Sequence, residues 1–367
     1  MTSFEWTPRT RVVFGPGASD KLGELARSLG FRRSLLVGDA GIVAAGLAAR
    51  AVALLETAGI AVFPFHDFAE NPDSAMAERG RHFAAAHEVD SVIGFGGGSS
   101  LDCAKAINFL LTNGGAMRDY RGYGKTTKPL LPMISVTTTA GTGSEAQSYA
   151  VVSDAETHVK MACGDPSAAV RIAVLDPQLL VSAPRAVRAN SGYDAIAHAV
   201  ETLVTTKRTP FSELFSREAW RRLSGNYERI LDAPDDIAAQ AEMQLGAHLA
   251  GAAIEASMLG ATHACANPLT ARHGVTHGVA LAVLLPHVVR WNESVAGELY
   301  QSLDAHLALR LHSLARAAGL PSTLRELGVP EEALPQLAAD AAQQWTGQFN
   351  PRPFDEAGAR EIYRCAF

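Results

Sequence analysis

Cysteine is scarce in this chain, and runs of basic residues are missing altogether. Only Cys103, Cys163, Cys265 and Cys365 occur, far apart and with no CxxC pair. That count is too low for a disulfide-framed scaffold, so reduced thiols are the simpler expectation. No Lys/Arg run stands out and the formal net charge is −6, which argues against a nucleic-acid-binding face. Long apolar runs are also lacking. The longest, GVALAVLLPHVV, contains Pro286 and His287 and is about 12 residues long, where a membrane span needs about 20. The start, MTSFEWTPRTRVVF, has no basic stretch followed by an apolar one, so no signal peptide is expected. These absences together predict a cytoplasmic protein with neither nucleic acid nor membrane as partner.

What is present is enough apolar material for sizeable cores, 47% of 367 residues, and a length at which single cores usually split into two domains. The first half alternates. SLLVGD (34–39), IAVFPF (60–65), SVIGF (91–95), PMISVTTT (132–139) and RIAVLDP (171–177) read as strands, and helical patterns separate the first four. Strands spaced by helices of this length predict βαβ units and a parallel sheet. After Pro184 the β-branched runs nearly vanish, and helical patterns cover 212–231, 236–259, 297–319 and 333–345. The expected division is therefore an α/β domain over 1–184 and a helical domain over 185–367.

Two loops at strand ends suit a phosphate ligand. In VIGFGGGSSLDCAK (92–105) a strand runs into Gly96, Gly97 and Gly98 and then into a helix that Ser99 or Ser100 can cap. Glycines let the backbone approach a ligand, and the first N–H groups of the helix favour an anion such as a pyrophosphate. The spacing only approximates the dinucleotide fingerprint, and a plain tight turn is the competing reading. TTTAGTGSE (137–145) repeats the arrangement at the next strand end, where ligands of open α/β sheets bind. Asp39 ends the first of these strands. An acid there can accept from a ribose 2′-hydroxyl and would repel a 2′-phosphate, favouring NAD over NADP. It could equally cap the next turn.

A second constellation suits a metal. In NSGYDAIAHAVE (190–201), Asp194 and His198 are four residues apart on a predicted helix and share a face. A carboxylate with an imidazole suits Fe²⁺ or Zn²⁺. Ser191-x-x-Asp194 also reads as a capping box with Asp in place of Glu, and His198 as a satisfied core histidine. GATHACANPLTARHGVTHG (260–278) adds His263, His273 and His277. The residues between His263 and His277 include Pro268 and Gly274 and no strong helix, so a turn there could bring both histidines to Asp194 and His198.

RVVFGPGA, GFGGGSSLDCAKA, TTTAGTGSEA, ETHVKM, VLDPQLL, SGYDAIAHAVE, THACANPL, HGVTHGVALAVLLPHVVRWN and FNPRPF occur in that order. This series resembles the iron-containing (group III) alcohol dehydrogenases over nearly the whole chain. The resemblance implies a Rossmann-like domain and an all-helical domain with the active site between them. It also implies NAD(P)-dependent interconversion of an alcohol and an aldehyde or ketone. By motif match, the metal ligands would be Asp194, His198, His263 and His277. The pyrophosphate would lie on Gly96, Gly97, Gly98 and Ser99, with Asp39, Asp102, Thr138, Thr139, Thr142 and Lys160 in the same cofactor-binding set.

The chain departs from the family at Asn267, where a second histidine thought to assist proton transfer is usual, and at Leu281, where Asn is frequent. Asn cannot titrate, so at Asn267 the catalytic proton relay could instead run through a metal-bound water, the cofactor ribose or His273. Tyr149, Val151 and Ile254 suggest an apolar wall and a small to medium aliphatic alcohol or aldehyde as partner. A homo-oligomer, taken as a dimer, is expected. A maleylacetate reductase-type enzyme of the same fold and a silent NAD-binding protein are the alternatives.

Overall fold

The computed structural model describes residues 4–367. The chain forms two compact units. The first comprises Thr7–Thr139 and Ser144–Ala183; the second comprises Pro184–Phe367, Ala140–Gly143 and the N-terminal segment ending at Trp6.

The first unit opens with β1 (Arg11–Phe14), α1 (Leu22–Ser28), β2 (Arg33–Val37), α2 (Ala40–Ala44), α3 (Leu47–Thr57) and β3 (Ala61–Phe65). It continues with α4 (Ser74–Ala86), β4 (Ser91–Gly96), α5 (Gly98–Asn113), β5 (Gly122–Tyr123) and β6 (Met133–Thr137). β7 (Tyr149–Ser153), β8 (Lys160–Gly164) and β9 (Ile172–Leu175) complete it. Six strands form one parallel sheet in the order β1-β9-β6-β4-β2-β3. Its inner strands β4, β6 and β9 are buried at every position, as a sheet covered on both faces requires. From β2 the chain goes outward to β3 and then returns past β2 to β4. That reversal makes the carboxyl ends of β2 and β4 the switch point at which open α/β sheets form their ligand crevice.

The small sheet β5-β8-β7 was not expected from the sequence. Its longer strands are five residues each and joined by a hairpin in which His158 takes φ 59. Their mixed composition carries little strand signal.

The second unit is helical: α6 (Arg185–Val204), α7 (Pro210–Asp232), α8 (Ile237–Ser257), α9 (Ala261–His273), α10 (His277–Gln301), α11 (Leu307–Ala317), α12 (Leu334–Ala342) and α13 (Glu356–Ala366). α6 is buried without a break from Gly192 to Val204 and packs against α7, α8 and α10. Its run of alanines makes that close approach possible. Among the described residues no helix is long and apolar enough to cross a membrane.

Four local expectations are corrected. α5 starts at Gly98 with Gly97 at its N-cap, so Ser99 and Ser100 lie in the first turn instead of capping it. α6 starts at Arg185, so Ser191 is interior and donates to the Val187 carbonyl; no capping box forms with Asp194. The pattern over 297–319 is two helices, broken where the Asp304 carboxylate accepts from the His306 N–H in an Asx turn. Between His263 and His277 the chain is helical through Pro268, and the turn is confined to 274–276. A proline costs a helix one hydrogen bond. Here Thr262–Ala266, Pro268 and Leu269 are all buried, and packing overrides the local preference.

Candidate functional site

The first unit gathers three loops at the carboxyl ends of β2, β4 and β6, which are neighbours in the sheet. Asp39 follows β2 and caps α2: its Oδ1 accepts from the Ile42 N–H at 3.0 Å. The capping role is thus realised, and the carboxylate also reaches the next loop, where the Ser100 hydroxyl donates to Oδ2 at 3.2 Å. Gly96 has φ 147, and a Cβ there would lie 2.4 Å from the Ser100 hydroxyl oxygen. Only glycine fits, and the backbone turns directly into the N-terminus of the 16-residue α5, a site whose N–H groups favour an anion. Ser99 accepts from the Asn71 N–H. Thr138 is buried and Thr139 half-buried at the end of β6.

Asp102 and Lys105 lie one turn apart on α5. Ser144 donates to Asp102 Oδ1 at 2.8 Å. Burial lifts the Asp102 carboxyl to about 6, against the opposing pull of Lys105, Ser144 and Lys160. Lys160 begins β8. The Lys105 side chain, fully buried, donates to the carbonyls of Ser144, Gln147 and Tyr149 at 2.6, 2.8 and 2.9 Å. It pins the chain that follows the Thr/Gly loop. The sequence reading passed over this lysine, although a lysine on the inner face of a buried helix signals a polar cage. The Tyr149 and Tyr123 rings meet at a tilt, with centroids 5.4 Å apart, and Val151 is exposed.

Thr142 belongs to the Ala140–Gly143 segment of the second unit. That segment runs so close to α8 that a Cβ on Gly143 would stand 2.6 Å from the Gly251 Cα. Ile254 is buried in α8.

The second unit brings together the carboxylate and all three imidazoles expected to converge. Asp194 and His198 are one turn apart on α6, His263 lies in the first turn of α9 and His277 is the first residue of α10. Asp194 Oδ1 is 3.2, 3.7 and 3.9 Å from the Nε2 atoms of His198, His263 and His277. The rings of His198 and His263 stack with centroids 4.9 Å apart, and those of His263 and His277 are 5.3 Å apart. The ligand atoms of Asp194, His263 and His277 all lie within 4.8 Å of one another. His198 is outside that mutual set while touching Asp194.

Two of these buried atoms, Asp194 Oδ1 and His263 Nε2, make no hydrogen bond among the described residues. Polar atoms buried in this way are costly unless something else satisfies them. Four ligands around a Zn-sized ion, about 2.0–2.2 Å away in a tetrahedron, are spaced by about 3.4 Å. The observed separations straddle that value, and the donor set fits a divalent cation.

Glu201, which the sequence reading missed, completes the arrangement. It continues the 194, 198, 201 stripe of α6, and that spacing was the available signal. Its Oε2 is 2.5 Å from His263 Nδ1, and its Oε1 accepts from the Thr262 N–H at 2.6 Å. Nδ1 is thereby committed to Glu201, and Nε2 is the nitrogen turned to the cluster. Burial opposes charge here, but Glu201 and Asp194 outweigh it and raise His263 to about 9. Burial pushes His198 down to about 4 despite the Asp194 carboxylate. Asp194 stays well below the usual carboxylate range, because the surrounding histidines overcome its desolvation.

Asn267 follows His263 by one turn, is half-buried and donates to Gln344 Oε1 at 3.2 Å. His273 is not part of the cluster: it is the exposed last residue of α9, about 15 Å along the axis from His263. Leu281 is fully buried in α10 and serves the core.

Comparison with known proteins bears on both units. Residues 8–177 match the model described as iron-containing alcohol dehydrogenase, and residues 188–367 match that of the Fe-containing alcohol dehydrogenase family, C-terminal. The chain is 31% identical over 368 residues to the NAD-dependent methanol dehydrogenase of Bacillus methanolicus, with 96% of each covered. It is 32% identical over 372 residues to the 1,3-propanediol dehydrogenase of Citrobacter freundii, again with 96% of each covered. Among solved structures, a 1,3-propanediol oxidoreductase matches at a TM-score of 0.96 and 31% identity, with both chains covered completely.

Proposed function

We propose, from the premise that this chain belongs to the iron-containing alcohol dehydrogenase family, that it interconverts a small to medium alcohol and its aldehyde with NAD(H). The relatives named for methanol and 1,3-propanediol support substrates of that size. Asp194, His198, His263 and His277 would hold a divalent metal, Fe²⁺ before Zn²⁺. When bound, the metal supplies Lewis acidity at the substrate oxygen and the nicotinamide supplies the hydride acceptor.

The protein's own groups prepare that chemistry. Asp194 offsets part of the cation's charge. Burial pushes the His198 imidazole toward its neutral form, the form that ligates a metal. Glu201 fixes which nitrogen His263 presents. In the first unit, Gly96, Gly97, Gly98 and Ser99 would receive the pyrophosphate at the start of α5. Thr138, Thr139, Thr142, Asp102 and Lys160 would serve other parts of the cofactor. Asp39, held by Ile42 and Ser100, retains lone pairs for a ribose hydroxyl and would repel a 2′-phosphate.

The observation that carries this reading is the convergence of Asp194 with three imidazoles around atoms left without hydrogen bonds. Metal analysis coupled to a panel of alcohols and aldehydes tests it, followed at the NADH absorbance with the 2′-phosphorylated cofactor in parallel. Metal-dependent turnover favouring NAD is expected. Turnover unaffected by complete removal of metal would refute it.

A further inference from the structure

α9 presents Asn267 on the same face as His263, four residues away. The Asn267 amide is not free to turn. Gln344 Nε2 donates to the main-chain carbonyl of Asp340 at 3.4 Å, and a carbonyl can only accept. Gln344 therefore presents Oε1 to Asn267, and the partner 3.2 Å away must be the donating Nδ2. The two amides form a directed chain from Asn267 through Gln344 to Asp340, each orientation fixed by the next group. The Asp340 end is itself anchored, since its carboxylate accepts from Arg272 and Gln336. The open end of the chain is Asn267 Oδ1. Among the described residues nothing donates to it.

We infer that Asn267 determines specificity by accepting a hydrogen bond from a second hydroxyl of the substrate, so that diols and hydroxyaldehydes are preferred to plain alkanols of the same length. This rests on the functional reading above. Side chains one helical turn apart are separated by about 5–6 Å, a span that a small diol can bridge. The acceptor is neutral and does not titrate, so it recognises a hydroxyl at any working pH. An apolar substrate end would leave Oδ1 desolvated and unpaired, which strengthens discrimination.

Steady-state oxidation of 1,3-propanediol and 1-propanol by the metal-loaded protein tests this. Asn267→Leu is expected to lower the diol-to-alkanol ratio of kcat/KM roughly tenfold, the scale of one hydrogen bond, with the change in the KM of the diol. Gln344→Met frees the amide to rotate and is expected to shift the ratio the same way by less. Should Asn267→Leu fail to fold, Asn267→Ala gives the same readout. A ratio within about twofold of the parent's, in variants that melt normally and hold metal, would overturn the inference alone. A metal-loaded parent that reduces NAD with neither alcohol would overturn the functional reading and this inference with it.

Discussion

Glu201 shows how much one residue outside a ligand set can govern it. Its carboxylate is buried, and it binds both the His263 ring and the N–H of Thr262. Groups that orient a metal-binding histidine typically change metal affinity by 10–100-fold when removed. Glu201→Gln keeps the size but loses the charge, so a loss of about that scale is expected in a competition assay with a chelating dye. Unchanged affinity would make Glu201 only a packing residue. Asp102 offers a second test at this scale. Its carboxyl is raised to about 6 in the folded chain, so the folded state holds a proton that the unfolded state releases near pH 4. Its effect on stability therefore worsens as pH rises from about 4 to about 6. Asp102→Asn should melt higher than the parent at pH 7.5, with the gap narrowing toward pH 5. A gap that widens on acidification would contradict the assignment.

At the scale of elements, the strand ends and helix starts set the chemistry. The β4–Gly96–α5 junction tolerates no side chain, since a Cβ would meet Ser100 and the backbone sits at φ 147. Gly96→Ala should lower the melting temperature and raise the KM for NAD while leaving metal content at the parent's level, because the Asp194/histidine cluster proposed to hold the metal is built within the other unit. Metal loss in that variant would contradict this independence. The junction was legible from the sequence because strand, glycines and helix follow one another within 14 residues of pattern. The α6 pair Asp194 and His198 was legible for the same reason, a short period on one helix. α9 was not. Pro268 argued for a break there, and burial of the helix decided otherwise. The β7–β8 hairpin was also missed, since five-residue strands of mixed polarity give no firm period.

For the whole molecule, the alternation of strand and helix before Pro184 and its end thereafter announced the α/β and helical halves. What composition could not announce were contacts distant in sequence. The Glu201–His263 contact spans 62 positions and the Asn267–Gln344 contact 77. Neither has a local pattern, and both depend on how separate helices pack. The segment Ala140–Gly143 likewise groups with the helical unit although it sits in the middle of the α/β sequence, a placement that only the fold reveals.

In the proposed function, Asp194, His198, His263 and His277 hold the metal on which alcohol oxidation depends. Metal content and NADH formation, measured together on the parent, His263→Ala and His277→Ala, check this. About one divalent ion per parent chain is expected and, in both variants, loss of the ion with most of kcat. Either variant retaining full metal content and the parent's rate would contradict it.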